Sequence, residues 1–252
     1  MKTLVVFNQK GGVGKTSTVA NLMAELTARG QRVLAIDLDA QCNLTAFCGL
    51  KYDSYSVLDW LLNDKISVER IICKSKYADI IPSDERLQVE MLKFASMPAF
   101  VIHIKNLIAK LKNYDFVLID CPPTVNQLTA AALVAADYVL IPTELEYFSA
   151  TGIEKLADTV NQVKPLNPQL KVLDILIVKY NANRKLSKAL EEKFAAATNA
   201  LLECSLFKTK IRFTVDVPSS QAMGKSVKDY KANSNAAIDY NNLVEELWET
   251  IK

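Results

Sequence analysis

A glycine-rich segment near the amino terminus carries the residues best suited to chemistry. Its sequence is QKGGVGKTST, a short β-branched run precedes it, and good helix formers follow it. Glycines allow backbone N–H groups to approach phosphate oxygens, and the N-terminus of the next helix adds the positive end of its dipole. In this setting Lys15 would reach the β- and γ-phosphates of a nucleotide, and the Thr16 hydroxyl would bind Mg²⁺. The pattern predicts a phosphate-binding loop formed by Gly11, Gly12, Val13, Gly14, Lys15, Thr16 and Ser17.

The loop departs from the general pattern at its start. A general phosphate loop has Gly, four further residues and then Gly-Lys-Ser/Thr. Gln9 stands where the first glycine is expected, and Lys10 follows as a second lysine beside the glycines. We therefore expect a variant of the phosphate loop in which Lys10 has a role of its own.

Two further segments end in carboxylates. The segment IDLDAQ places Asp37 and Asp39 on one face of a strand, with Asp39 just past the carboxyl end, where it could hold an attacking water or a metal-bound water. The segment DFVLIDCPP describes a buried strand that delivers Asp120 to its tip, as a Walker B strand delivers aspartate to Mg²⁺. The sequence therefore predicts a Mg²⁺ site formed by Thr16, Asp39 and Asp120.

These side chains need strands that end at one edge of a sheet. Continuously hydrophobic runs, typical of strands buried on both faces, alternate with stretches of helical periodicity. The pattern predicts an α/β fold, a doubly wound, mostly parallel sheet with helices on both faces, with ligands outside the carboxyl ends of the strands. No linker or repeat divides the chain, so we expect a single domain over 1–252. The predicted strands are 3–8, 32–38, 79–82, 115–120, 137–142 and 171–180, and the predicted helices are 15–29, 99–111, 127–136, 152–163, 186–197 and 235–251.

Composition excludes several classes of protein. Half of the 252 residues are hydrophobic and 23% are charged, which excludes wholesale disorder. No apolar run approaches the roughly 18 residues that cross a bilayer, and the amino-terminal apolar stretch is too short for a signal peptide. Five cysteines without a CxxC pair favour reduced thiols over disulfides or structural zinc. We therefore expect a cytoplasmic protein.

The loop, read as KGGVGKTS, resembles the deviant Walker A motif of the ParA/MinD family of P-loop ATPases. The resemblance implies a P-loop NTPase fold, ATP and Mg²⁺ as ligands, and a homodimer in which Lys10 reaches the nucleotide of the partner subunit. Such a lysine would act on the phosphates much as an arginine finger does. The segment DLDAQ resembles the family's Asp-x-Asp-Pro-Gln switch, with Ala40 in place of proline, which implies that Asp39 positions or activates water. The resemblance thus gives Lys10, Lys15 and Asp39 as candidate catalytic residues.

The resemblance extends over nearly the whole chain. TAAALVAADYVLIPTELEYFSATGIEKL is similar to the family segment that follows the Walker B strand, and VDVPSSQAMGKSVKDY is similar to the loop that closes over the base. It implies further nucleotide contacts from Asn181, Val217 and Pro218. Because no helix-turn-helix domain precedes the phosphate loop, the chain is most similar to the short ParA partition ATPases, which bind DNA without sequence specificity.

Basic charge is concentrated in one part of the chain. Residues 171–231 contain 12 Lys and Arg against 6 Asp and Glu, although the net charge of the whole chain is only +2. Such a concentration is typical of surfaces that bind phosphate backbones, and an ordinary solvated basic surface is the alternative. An arginine that is common in this loop of short ParA proteins aligns with Asp216. The candidate DNA-binding residues are Arg184, Lys185, Lys208, Lys210, Arg212, Lys225 and Lys228.

The resemblance implies a slow ATP hydrolase that a ParB-like protein or a cargo adaptor stimulates. The ATP-bound homodimer would bind non-specific DNA on the nucleoid and drive the partition or positioning of a plasmid, a chromosome or a protein assembly. Two alternatives remain open, a membrane-recruited MinD-like spatial regulator and an ATPase that carries a metal or cluster. The single His103 and Cys121 are expected to be structural.

The carboxyl-terminal helix argues against the membrane alternative. Leu243, Leu247, Trp248 and Ile251 share one face, and glutamates lie outside it. Anionic lipid would repel this acidic helix, so we expect the apolar face to dock on the core and expect no membrane partner.

Overall fold

A single mostly parallel sheet forms the centre of the computed structural model, which describes residues 1–50, 55–97, 99–145, 150–181 and 187–251. The strands are β1 (Lys2–Val6), β2 (Val33–Asp37), β3 (Cys73–Lys74), β4 (Asp79–Ile81), β5 (Phe116–Asp120), β6 (Tyr138–Glu144) and β7 (Lys171–Val178). Within the described residues they form a seven-stranded sheet in the order β3-β4-β2-β5-β1-β6-β7. All neighbouring pairs are parallel except β3 with β4.

Helices cover both faces of this sheet. They are α1 (Lys15–Ala28), α2 (Asn43–Phe47), α3 (Val57–Leu62), α4 (Val68–Ile71), α5 (Leu87–Ser96), α6 (His103–Lys110), α7 (Gln127–Ala135), α8 (Ala150–Val163), α9 (Ser187–Leu202), α10 (Asp216–Ala222), α11 (Val227–Tyr230) and α12 (Asn235–Ile251). Side chains of α1 and α12 pack on one face, and those of α5 to α9 pack on the other. The doubly wound α/β fold that the sequence predicts is thereby confirmed.

Strand residues alternate between the two cores, which explains the continuously hydrophobic sequences. In β1, Leu4 and Val6 belong to the cluster with α1 and α12, whereas Val5 belongs to the opposite cluster. In β5, Leu118 and Ile119 divide in the same way. Each of these five side chains is at most 2% exposed, so the central strands can be hydrophobic at every position up to their carboxyl ends.

The register brings the predicted chemistry to one edge. Asp120 pairs with Val6 of β1 on one side and with Asp37 of β2 on the other. The phosphate loop follows β1, and Asp39 follows β2 by two residues. Because parallel strands present their carboxyl ends together, segments that lie far apart in sequence meet at this edge.

Most differences from the predicted elements lie at their ends. Strand β7 stops at Val178 because Lys179 takes a left-handed backbone with φ 52°. The helix predicted over 99–111 begins as a short 3₁₀ helix, Phe100–Ile102, and becomes α-helical only from His103. Its Phe100 ring stacks on His103 with centroids 5.2 Å apart, which agrees with a structural role for this histidine. The sequence did not predict the two-residue β3, helix α5 or the short helices α2, α3, α4, α10 and α11.

The carboxyl-terminal helix docks on the core, as its sequence predicts. Leu243, Leu247 and Ile251 are 0%, 5% and 6% exposed, and the Trp248 ring lies 5.8 Å from that of Phe116. The helix packs against α1, which leads directly from the phosphate loop. None of the described helices has the length and apolar character needed to cross a bilayer.

We expect Leu243→Ala to lower the free energy of unfolding by about 3 kcal/mol, because it opens a cavity in a fully buried contact. Urea denaturation followed by circular dichroism measures this change. Asn242→Ala, at the adjacent exposed position of the same helix, is the control and should change stability by less than about 0.5 kcal/mol. Equal stability of the two variants would contradict the docking of α12.

Candidate functional site

The phosphate loop has the backbone that phosphate binding requires. Gly12 and Gly14 have φ values of 74° and 76°, a region that side chains with a Cβ rarely adopt. Nothing lies within 4 Å of where a Cβ on either glycine would stand, so the loop faces open space. Helix α1 begins directly after Gly14 without a side-chain cap, which leaves first-turn N–H groups for a ligand. An anion is the natural partner for such a helix start.

Lys15 is held inside this loop. Its side chain is 6% exposed, and its Nζ donates to the carbonyl oxygen of Lys10 at 3.0 Å. Burial lowers the pKa of Lys15, and the nearby carboxylates of Asp120 and Asp39 offset part of that effect. The ammonium group is therefore positioned by the loop itself before any ligand is bound.

Asp120 is the most unusual carboxylate of the site. It is fully buried, and both of its oxygens lack a hydrogen-bond partner among the described residues. Burial raises the pKa of Asp120 well above its ordinary value and the neighbouring Asp37 raises it further, while the nearby Thr16 hydroxyl and Lys15 ammonium group offset part of this effect. Burying such a group without a partner is costly. A cation beside Asp120 would remove the cost.

The two aspartates of the β2 segment have different surroundings. Asp37 is fully buried, and its Oδ2 accepts from the backbone N–H and the hydroxyl of Thr45 at 2.9 and 2.7 Å. Burial raises the pKa of Asp37 to about 6. Asp39 is half-buried, its Oδ1 accepts from the N–H of Gln41 at 3.0 Å, and it lines the cleft above the loop. Asp37 thus fixes the local backbone, and Asp39 faces the space where a ligand would lie.

A cleft of about 650 Å³ opens beside the loop, a volume within the usual range for small-ligand sites. Helix α10 forms part of its wall and is tied to the loop, because the Ser17 hydroxyl donates to Gln221 Oε1 at 2.7 Å. The predicted site residues that line the cleft are Gly11, Gly12, Gly14, Lys15, Thr16, Ser17, Asp39, Val217 and Pro218.

Four predicted residues do not line this cleft. Lys10 is exposed and borders a separate cavity of about 80 Å³ next to Asn8. Val13 is fully buried beneath the loop, and Asp120 is buried at the strand end. Asn181 is exposed and is not among the residues that line the cleft.

Several cleft residues have no clear signal in the sequence. Phe213 and Val215 are 63% and 67% exposed, which is unusual for apolar side chains and marks a wall that a ligand could cover. Lys179 lies beside Gly12. In the sequence it is only one of many lysines in a basic region, so nothing there predicts this contact. The remaining lining residues that the sequence did not assign to this site are Gln41, Asn43, Pro123, Val178, Ile211, Thr214, Gln221, Tyr240 and Arg212, the last of which was a candidate DNA-binding residue.

The candidate DNA-binding residues have mixed surroundings. Lys210 pairs with Glu191 and lies over the ring of Tyr180. The guanidinium of Arg212 binds Asp239 with both Nε and Nη2, and Arg212 lines the cleft beside the phosphate loop. Lys228 lies 3.0 Å from Glu25. Lys208 and Lys225 are exposed, and Arg184 and Lys185 lie outside the described residues.

Cys121 packs directly behind the site. It is fully buried, and burial raises the pKa of its thiol above the ordinary value. This agrees with the packing role that the sequence suggests. Among the described residues, no group of three or more His, Cys, Asp or Glu side chains is placed to hold a metal ion.

Known proteins resemble this chain along nearly its whole length. A family model described as an AAA domain matches residues 1–172. A ParA family protein of Chlamydia pneumoniae is 35% identical over 98% of this chain and 97% of its own length. The sporulation initiation inhibitor protein Soj of Bacillus subtilis is 32% identical, with 98% of each chain covered. The structure of cobyrinic acid a,c-diamide synthase from Mycobacterium smegmatis with bound ADP and magnesium has a TM-score of 0.85 and 29% identity, and the match covers 100% of this chain and 97% of that one.

These matches span the segments that form the site. The family model includes the phosphate loop, Asp39 and Asp120, and the relatives continue through the cleft wall around α10. With relatives at 32% and 35% identity across nearly the full length, the chain belongs to the ParA family of P-loop ATPases.

Proposed function

We propose that this protein binds ATP with Mg²⁺ in the cleft beside the phosphate loop and hydrolyses it slowly. The observation that carries the proposal is the pairing of an uncapped helix start with the unpartnered, buried carboxylate of Asp120. The first feature calls for an anion and the second for a cation, and a metal–triphosphate supplies both. The M. smegmatis neighbour, bound to ADP and magnesium, supports the same ligand here.

The residues present suit Mg²⁺. This ion prefers oxygen ligands and usually takes one or two carboxylates together with substrate phosphates and waters. Asp120 and the Thr16 hydroxyl would hold it, and Asp39 would contribute through a bound water. The ion would neutralise charge on the β- and γ-phosphates.

Hydrolysis would depend on groups at two sides of the γ-phosphate. Lys15, which the loop already holds at the Lys10 carbonyl, would shift to the β- and γ-phosphates. Asp39 would orient the attacking water, because it is the half-buried carboxylate that faces the cleft. Lys10, exposed at the edge of the loop, would complete the site of a second subunit. ATP binding would thus join two subunits, and hydrolysis would separate them.

Dimer formation would couple the nucleotide to DNA. Two subunits joined through ATP double the number of basic contacts with a phosphate backbone and so raise the apparent affinity. Lys208 and Lys225 support such contacts best, because both are exposed, whereas Lys210, Arg212 and Lys228 are paired with carboxylates of their own chain. A ParB-like protein or cargo adaptor would stimulate hydrolysis, and the outcome would be cargo positioned over the nucleoid.

Lys15→Ala should weaken binding of ATP and ADP by about a hundredfold. This factor corresponds to the free energy of the charged hydrogen bonds that the lysine would make to the phosphates. Isothermal titration calorimetry measures this change. Lys105→Ala, an exposed lysine of α6, should bind nucleotide as tightly as the unaltered protein. If the two variants have the same affinity, the cleft does not bind nucleotide through this lysine.

The dimer is tested by two substitutions with opposite expected results. Asp39→Ala should slow hydrolysis and accumulate a dimer with ATP, because the bound triphosphate persists. Lys10→Ala should bind ATP yet remain monomeric, because the cation offered to the partner site is lost. Light scattering with ATP and Mg²⁺ distinguishes the two species. A monomeric Asp39→Ala variant that retains ATP would contradict the dimer proposal.

The DNA surface is tested by charge reversal. The double variant Lys208→Glu and Lys225→Glu should bind DNA more weakly with ATP, and the slope of log affinity against log salt should fall in magnitude by about 4, because each subunit of the dimer loses two contacts. Lys65→Glu with Lys105→Glu is the matched control, because it changes the net charge equally at exposed positions elsewhere. Equal DNA binding by both double variants would show that the surface lies elsewhere.

A further inference from the structure

Lys179 makes a contact with the phosphate loop that the established features of the site do not explain. It is the first residue after β7, and its Nζ donates to the carbonyl oxygen of Gly12 at 2.9 Å. The same Nζ lies 2.7 Å from Oε1 of Glu144, the last residue of β6. One ammonium group therefore joins the loop to the carboxyl ends of two neighbouring strands.

The contact fixes the orientation of one peptide group in the loop. The C=O of Gly12 and the N–H of Val13 belong to the same planar trans peptide and point in opposite directions. Gly12, with φ 74° and no Cβ, has an unusually small barrier to turning this plane over. Holding the carbonyl on Lys179 keeps the Val13 N–H directed away from the lysine. Phosphate loops hold phosphate oxygens with backbone N–H groups, so the orientation of this peptide bears on phosphate binding.

The surroundings of Lys179 indicate that it orients the loop rather than attracts the ligand. The carboxylate of Glu144 is 14% exposed and balances the charge of Lys179, so the pair as a whole adds little net charge beside the loop. A charged hydrogen bond to a carbonyl is strong and directional at short range. The pair is therefore suited to hold a peptide plane.

The backbone around Lys179 joins this contact to the opposite wall of the cleft. Lys179 is a non-glycine residue with φ 52°, a conformation that the surrounding structure must stabilise. The next residue, Tyr180, donates its N–H to Ile211 at 2.9 Å, and its carbonyl accepts from the N–H of Phe213 at 2.9 Å. Ile211 and Phe213 line the same cleft as Gly12. The turn at Lys179 thus connects the phosphate loop to the cleft wall through hydrogen bonds from two consecutive residues.

We propose that Lys179 is a positioning residue for phosphate binding, which with Glu144 holds the Gly12 carbonyl and so directs the Val13 N–H for the phosphates of the nucleotide. The proposal rests on the nucleotide site described under the proposed function. It assigns Lys179 no contact with the nucleotide. Its ligand is the peptide group of the loop.

The test compares nucleotide affinities of Lys179→Met, Lys179→Arg, Glu144→Gln and Lys171→Met by calorimetry with ADP and with a non-hydrolysable ATP analogue. Lys179→Met should weaken both ligands about tenfold, the value of a hydrogen bond to a charged group. Lys179→Arg should recover most of the loss, because it restores a cationic donor. Glu144→Gln should weaken binding in the same direction, because the lysine loses its second anchor. Lys171→Met, at the other end of the same strand, is the control and should bind as the unaltered protein does.

Glu144→Gln decides between orientation and direct attraction. If Lys179 instead attracted the phosphates by charge, removing Glu144 would tighten binding, and that result would overturn the proposal. Equal affinities of Lys179→Met and Lys171→Met would also overturn it, while leaving the nucleotide site itself intact. Failure of the unaltered protein to bind either ligand would overturn both. If Lys179→Met does not fold, as judged by its melting without nucleotide, the isosteric Glu144→Gln variant decides the matter alone.

Discussion

Buried charge at the carboxyl ends of the central strands is the constraint on which the rest of the structure depends. Lys15, Asp37 and Asp120 are 6%, 0% and 0% exposed, and the parallel register sets the two aspartates side by side. Thr45 satisfies Asp37, but within the described residues no hydrogen bond reaches the oxygens of Asp120. Removing carboxylates from water is costly, so a positive charge bound at this point would be favourable. In the proposed function Mg²⁺ supplies this positive charge, so binding of the ligand would stabilise the site.

The phosphate loop is held from several directions, and this explains how a glycine-rich segment can present a defined surface. The Gln9 amide donates to the carbonyl of Lys155 and to the hydroxyl of Thr159, both on α8. Ser17 binds Gln221 of α10 at the other side, and Lys15 holds the loop from within. Glycines lower the barrier to unwanted conformations, and these contacts restore order without filling the space above the loop. A substitution that moves α8 or α10 would therefore also move the phosphate loop, because both helices are hydrogen-bonded to it.

Ion pairs within the chain neutralise part of the charge of the basic region 171–231. Counted from the sequence, residues 171–231 carry a clear excess of Lys and Arg. In the folded chain Lys210, Arg212 and Lys228 each meet a carboxylate, and Arg212 fastens the cleft wall to α12. Part of the excess thus stabilises the fold around the nucleotide cleft. The surface that remains for a nucleic acid is smaller than the composition suggests.

The sequence by itself determined the elements whose signal is local. The buried strands, the phosphate loop, the helix that follows it and the amphipathic α12 were predicted, because hydrophobic periodicity and glycine placement act within a few residues. The short β3, α2 and α10 were missed, since two to seven residues carry too little periodicity and depend on packing for their stability. Only the tertiary structure decided the partners of the charged residues: Arg212 meets Asp239 27 positions away, Lys179 reaches Gly12 across 167 positions, and Lys228 reaches Glu25 across 203. Such pairs follow from strand order and helix packing, which bring distant segments together and leave no pattern in the neighbouring residues.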